Sequence, residues 1–176
     1  MRLASAVLGI ALAIGLGEPL GAQGKPIQLA LFTPVQIVPE KEGVTVRLNL
    51  IYSVNQYVQG ADLGLVNVTN GGSSNGLEWA LVAIDKGDFT GWQAAWVAVT
   101  QGRLEGLQTG WVSSAREGEG LQFSPVNLSD HWSGLQLGIV NYAKHTSGVQ
   151  VGIVNIIKEG GQFPIFPIVN WGKGKK

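Results

Sequence analysis

The stretch GLQLGIVNYAKHTS (Gly134–Ser147) is followed without a break by GVQVGIVNIIKEGG (Gly148–Gly161). Two near-copies of fourteen residues side by side mark a repeat architecture, and the period sets the size of its unit. Extended in both directions, the glycine that opens each unit recurs at Gly60, Gly76, Gly91, Gly106, Gly120, Gly134 and Gly148, at spacings of 16, 15, 15, 14, 14 and 14. Gln follows two residues later at Gln93, Gln108, Gln122, Gln136 and Gln150, and a Val-Asn pair recurs at Asn67, Asn127, Asn141, Asn155 and Asn170. The unit is Gly-Φ-Gln-Φ-Gly-Φ-Val-Asn plus a polar connection, where Φ is apolar. The middle units, GLEWALVAIDKGDFT and GWQAAWVAVTQGRLE, keep the pattern and lose the Asn.

Inside a unit the apolar residues alternate: Leu135, Leu137 and Ile139 point one way, Gln136 and Gly138 the other. Period two with Val, Ile and Trp predicts strands. DKGD, TQGR, REGE and KEGG read as turns in which Gly supplies positive φ. No helical pattern of useful length follows residue 22, so the chain is expected to be all-β.

Two architectures fit. In a parallel β-solenoid of about seven to eight coils of 14–16 residues, equivalent side chains stack at about 4.8 Å. The repetition is then explained directly, because a Gln above a Gln or an Asn above an Asn passes amide hydrogen bonds along the stack. The alternative is an antiparallel outer-membrane β-barrel with one strand per unit. Adjacent barrel strands run in opposite directions and have no reason to share a motif, which favours the solenoid. The expected organisation is a signal peptide at 1–22, N-terminal capping strands at 23–59, the repeat at 60–161, a C-terminal capping strand at 162–171 and a basic tail at 172–176.

The signal-peptide assignment rests on Arg2, an uncharged run from Leu3 to Gly17, and Leu20-Gly21-Ala22 as a small-residue cleavage site before Gln23. The run is shorter than the roughly 20 residues of a spanning helix. A neutral chain, with 12 Lys and Arg against 12 Asp and Glu, gives no electrostatic case for nucleic acid. Zero Cys excludes disulfides and thiol chemistry.

With GADLGLVN, GLQLGIVN and GVQVGIVN, and with PIQLALFTPVQIVP, RLNLIY and FPIFPIVNW outside the core repeat, the chain resembles a family of bacterial exported surface-repeat proteins of unknown function. The resemblance covers most of residues 26–171. It implies a cell-envelope or surface location and supplies no catalytic residue.

No catalytic, cofactor-binding or metal site is predicted. His131 and His145 lie one period apart beside Asp130, a set that can ligate a divalent ion, but two solvated turn histidines account for them. Ser129-Asp130-His131 are consecutive, which is not triad geometry. Glu117 and Glu119 are expected to be solvated turn charges. Trp79, Trp92, Trp96 and Trp111 lie in the middle units. Trp92 and Trp96 share the strand face of Leu135 and Leu137, and core packing is the expected role. The function expected is an exported envelope or surface scaffold, structural, adhesive or ligand-binding, and not an enzyme. The sequence names no partner; an envelope glycan or a surface protein is the candidate, and membrane association is compatible with the reading, with a membrane-barrel pore as the alternative function.

Overall fold

A computed structural model describes residues 25–173; the expected signal peptide and the last residues of the basic tail lie outside them. Twelve strands are present and no helix among the described residues: β1 (Lys25–Phe32), β2 (Val35–Gln36), β3 (Val44–Asn55), β4 (Val58–Leu63), β5 (Val66–Thr69), β6 (Ser73–Asp85), β7 (Asp88–Thr109), β8 (Val112–Phe123), β9 (Val126–Leu137), β10 (Val140–Thr146), β11 (Val149–Glu159) and β12 (Ile165–Trp171). The chain is a parallel β-solenoid of about eight turns. The antiparallel barrel is not formed: pairing is parallel from β1 through β11 and antiparallel only where β2 meets β1 and β12 meets β11.

Register follows the sequence period. Gly106 pairs with Gly120 and Gly120 with Gly134, while Gln108, Gln122, Gln136 and Gln150 occupy one column. Each coil has two legs joined at a sharp corner. The first carries Gly134–Leu137 and the second Val140–Thr146, with the corner at Gly138-Ile139. Parallel stacking reaches back through β3 to β1, so the coils begin before Gly60. The antiparallel strands β2 and β12 close the two ends.

Two expectations are overturned. The TQGR and REGE segments are not turns, because β7 and β8 run straight through them. The breaks fall instead at the corner after the second apolar residue, as at Gly110-Trp111 and Ser124-Pro125. Positive φ lies chiefly at the repeat-opening glycine. Gly120 has φ +125°, and a Cβ there would sit 2.1 Å from the carbonyl oxygen of Gly106 on the coil before.

The second correction is larger: the glutamine and asparagine columns face inward, and the Leu and Trp columns beside them face outward. Gln93, Gln108, Gln122, Gln136 and Gln150 are fully buried, as are Asn67, Asn127, Asn141 and Asn155. Trp92 and Trp96, expected in the core, are exposed. The cause is bonding between levels: a buried Gln or Asn whose amide is satisfied by its equivalents above and below is not penalised for leaving water. At the corner the two legs lie close together. There, residues on the two legs compensate each other in size. Asn127, Asn141 and Asn155 share a column on the second leg with Ala83 and Ala98. Where that column carries Asn141, the first leg carries Gly138, whose Cβ would lie 3.1 Å from Asn141 Oδ1. Where it carries Ala83 or Ala98, the first leg carries Ala80 or Ala95, and these four form one buried cluster. In these two middle units Ala thus stands opposite Ala, where Gly stands opposite Asn in the last two. A second cluster, Phe89, Leu104, Ala115 and Trp132, fills the opposite end of the cross-section.

Candidate functional site

The interior is held by directional amide chains. Gln150 Nε2 donates to Gln136 Oε1 (2.7 Å), Gln136 to Gln122 (2.6 Å), Gln122 to Gln108 (2.8 Å) and Gln108 to Gln93 (2.7 Å). Gln93 Nε2 ends the chain on two carboxylates, Glu78 Oε2 at 2.8 Å and Asp85 Oδ2 at 2.6 Å. Every donor therefore points toward the negative end, which strengthens each bond. The asparagine chain runs the other way, from Asn127 Nδ2 to Asn141 Oδ1 and from Asn141 Nδ2 to Asn155 Oδ1, each 2.8 Å. These ladders satisfy groups whose burial would otherwise be costly.

Toward the N-terminus the glutamine column becomes charged: Glu78, Asp62 and Arg47 take the Gln position on successive levels. Arg47 Nε reaches Asp62 Oδ1 at 2.8 Å while Nη2 holds Oδ2, a two-point grip inside the protein. Arg47 Nη1 also donates to the Val68 carbonyl at 2.8 Å. Burial pushes the Asp62 carboxyl up and the guanidinium pulls it down. Glu78 is driven well above the usual carboxylate range, first by burial and then by the charges of Asp85 and Asp62. Three acids face one base, so a proton on Glu78, shared with Asp85, relieves the excess negative charge. This cluster was missed in the sequence. Aligning Arg47, Asp62 and Glu78 under the repeat Gln would have revealed it.

His131 and His145 are stacked on adjacent coils, ring centroids 4.8 Å apart. His145 Nε2 meets Glu159 Oε2 at 2.8 Å, and Glu117 pairs in register with His131. Asp130 does not join them; it lines a separate depression with Arg116 and Tyr142. No group of three or more His, Asp or Glu converges as metal ligands among the described residues. Ser129 is buried, with Oγ within 3.4 Å of Gln136 Nε2, while His131 is exposed. The two therefore lie on opposite sides of the strand. Glu117 and Glu119 are exposed, and Glu119 pairs with Arg103 at 3.3 Å.

The most extended apolar feature is the outer surface. Five neighbouring outward columns, those of Leu135, Leu137, Ile139, Val140 and Tyr142, contain no Asp, Glu, Lys, Arg or His at any level among the described residues. Five of the six tryptophans stand out from the body of the solenoid: Trp79, Trp92, Trp96, Trp111 and Trp171, with Trp96 62% and Trp111 63% exposed. Trp132 alone is interior, at 2%. At the N-terminal end the surface deepens into an apolar groove of about 870 Å³ between Leu29, Leu31, Ile37, Leu50, Leu65 and Trp79.

No family model, curated protein or solved structure matches this chain. The likeness to exported surface-repeat proteins therefore rests on the repeat residues themselves.

Proposed function

We propose that the protein is an exported cell-envelope scaffold, rigid along its stack, whose apolar outer surface holds it to another envelope component. The observation that carries this reading is the uncharged, predominantly apolar surface over five columns, because exposure of so much apolar area to water is unfavourable unless something covers it. The ladders support the structural half of the role: a column in which every level bonds to the next resists bending and local opening. A scaffold is proposed rather than a catalyst, and the separation of Ser129 from His131 supports that choice. The apolar run ahead of Gln23 supports export.

The test is expression in a Gram-negative host followed by fractionation and N-terminal sequencing. The chain is expected in the envelope, beginning at or near Gln23. Trp96→Glu with Ile139→Glu is expected to reduce envelope retention. Intact chain in the cytoplasm, or unchanged retention of the double variant, defeats the proposal.

A further inference from the structure

We infer that the apolar surface beds into a lipid leaflet, with the solenoid axis lying along the membrane plane and anionic headgroups drawn to one flank. This inference rests on the envelope reading above and names what the surface meets there.

The first argument is shape. The apolar columns do not form one flat sheet. Leu137 lies on the first leg, Ile139 at the corner, and Val140 and Tyr142 on the second leg. The surface is thus convex and wraps around the corner, where Leu50, Trp96, Trp111 and Ile153 are all strongly exposed. A second copy packing sheet against sheet covers one leg and leaves the corner in water. Acyl chains conform to a convex edge and cover both legs together.

The second argument is charge. The outward column beside that of Tyr142 carries Lys86, Gln101, Arg116, Asp130, Lys144 and Lys158, four cations against one acid. All four cations are exposed, and none forms an ion pair among the described residues. A line of unpaired cations flanking an apolar belt matches the headgroup region of an anionic leaflet. The exposed tryptophans suit the same boundary, where an apolar ring and an N–H donor are both accommodated.

The third argument is orientation. Charged residues line much of the edge opposite the corner, including Arg103, Glu105, Glu119 and Glu159. The apolar belt runs beside them for eight steps of about 4.8 Å, roughly 40 Å in all. Polar and apolar halves are divided along the axis rather than across it. The solenoid therefore lies half-sunk in one leaflet instead of crossing the bilayer.

The test uses the exported chain from Gln23, which contains every described residue, with vesicles of phosphatidylcholine alone or mixed with phosphatidylglycerol. The chain is expected to float with both and more tightly with the mixture. Its tryptophan emission should move to shorter wavelength and be quenched by bromine on the acyl chains. Trp96→Glu with Ile139→Glu should weaken binding by about thirtyfold or more with an unchanged far-ultraviolet spectrum. Lys144→Glu with Lys158→Glu should weaken binding to the mixed vesicles by about tenfold or more, while leaving phosphatidylcholine alone unaffected. Absence of flotation with both vesicles overturns the inference. So does a dimer in lipid-free buffer that the Trp96→Glu, Ile139→Glu variant dissolves, which makes a second copy the occupant. If vesicles fail to bind but that variant still leaves the envelope in cells, the lipid inference falls and the scaffold reading stands. If envelope retention is also unchanged, both fall.

Discussion

His145 lies over His131 with ring centroids 4.8 Å apart and planes within 10°, although fourteen residues of chain separate them. Only parallel coils in register bring such a pair together at one end of a leg. In a meander, equivalent end positions on neighbouring strands fall at opposite ends, roughly 30 Å apart for ten residues at about 3.3 Å each. The chain has no native Cys, so His131→Cys with His145→Cys is a clean probe. Stacked strands hold the two Cα atoms within the roughly 4.4–6.8 Å that a disulfide requires. Mild oxidation is expected to form an intramolecular bond, detected by mass and thiol titration. Two free thiols after oxidation would contradict the register.

Position within the amide ladder sets the cost of losing an amide. Gln136 bonds on both sides, so Gln136→Ala leaves Gln122 Oε1 and Gln150 Nε2 without their ladder partners and opens a cavity. The expected loss is about 3–5 kcal/mol. Gln150 stands at the end of the ladder, and its Oε1 has no partner already. Gln150→Ala is expected to cost about 1–2 kcal/mol less than Gln136→Ala. Denaturant midpoints for the two variants check the order. Equal losses would mean that the ladder contributes nothing beyond packing.

Gly120 combines a φ of +125° with a Cβ position 2.1 Å from the Gly106 carbonyl oxygen. Gly120→Ala must strain its own backbone and push two coils apart, with an expected loss of about 3 kcal/mol or more. Gly160 separates these causes: its φ is +73° and nothing lies within 4 Å of the Cβ position. Gly160→Ala should cost only about 1–2 kcal/mol, the backbone part alone. Thermal melts of both variants test this, and similar losses would rule out close coil contact at Gly120.

The period, the in-register stacking of Gln136 over Gln122 and the pairing of His131 with His145 were legible because a parallel coil repeats its environment at every level. Sidedness was not. Alternation shows that Leu135 and Gln136 point in opposite directions, but it does not say which direction is inward. The usual rule sends Leu to the core. Here the ladder geometry reverses it, since a buried Gln bonded on both sides no longer pays the desolvation penalty that normally keeps amides outside. Trp96 was misplaced by the same rule. The charged cluster was hidden differently. Arg47, Asp62 and Glu78 look like isolated surface charges until the ladder puts them in one column.

The carboxyls at the end of that column predict how stability depends on pH. Glu78 is buried beside Asp85 and Asp62, and its Oε1 has no donor to accept from. With a proton, that oxygen becomes a donor to Asp85. Its folded-state pKa is raised, so its contribution is fully present below the unfolded value of about 4.3. As pH rises from there toward the folded pKa, the unfolded chain releases the proton while the folded chain retains it, and stability is lost. Glu78→Gln removes that dependence. The Gln amide can donate where the protonated carboxyl did and accept from Gln93 through its carbonyl, extending the ladder by one level. The variant is expected to match the parent near pH 4 and to exceed it by about 1–3 kcal/mol at pH 7. Asp62→Asn should behave in the opposite way, because it leaves Arg47 buried without its counter-charge and costs about 3–5 kcal/mol at neutral pH. Denaturant unfolding from pH 4 to 8 distinguishes the two. If Glu78→Gln is less stable than the parent at pH 7, Glu78 is ionised in the folded protein and the shared proton is absent.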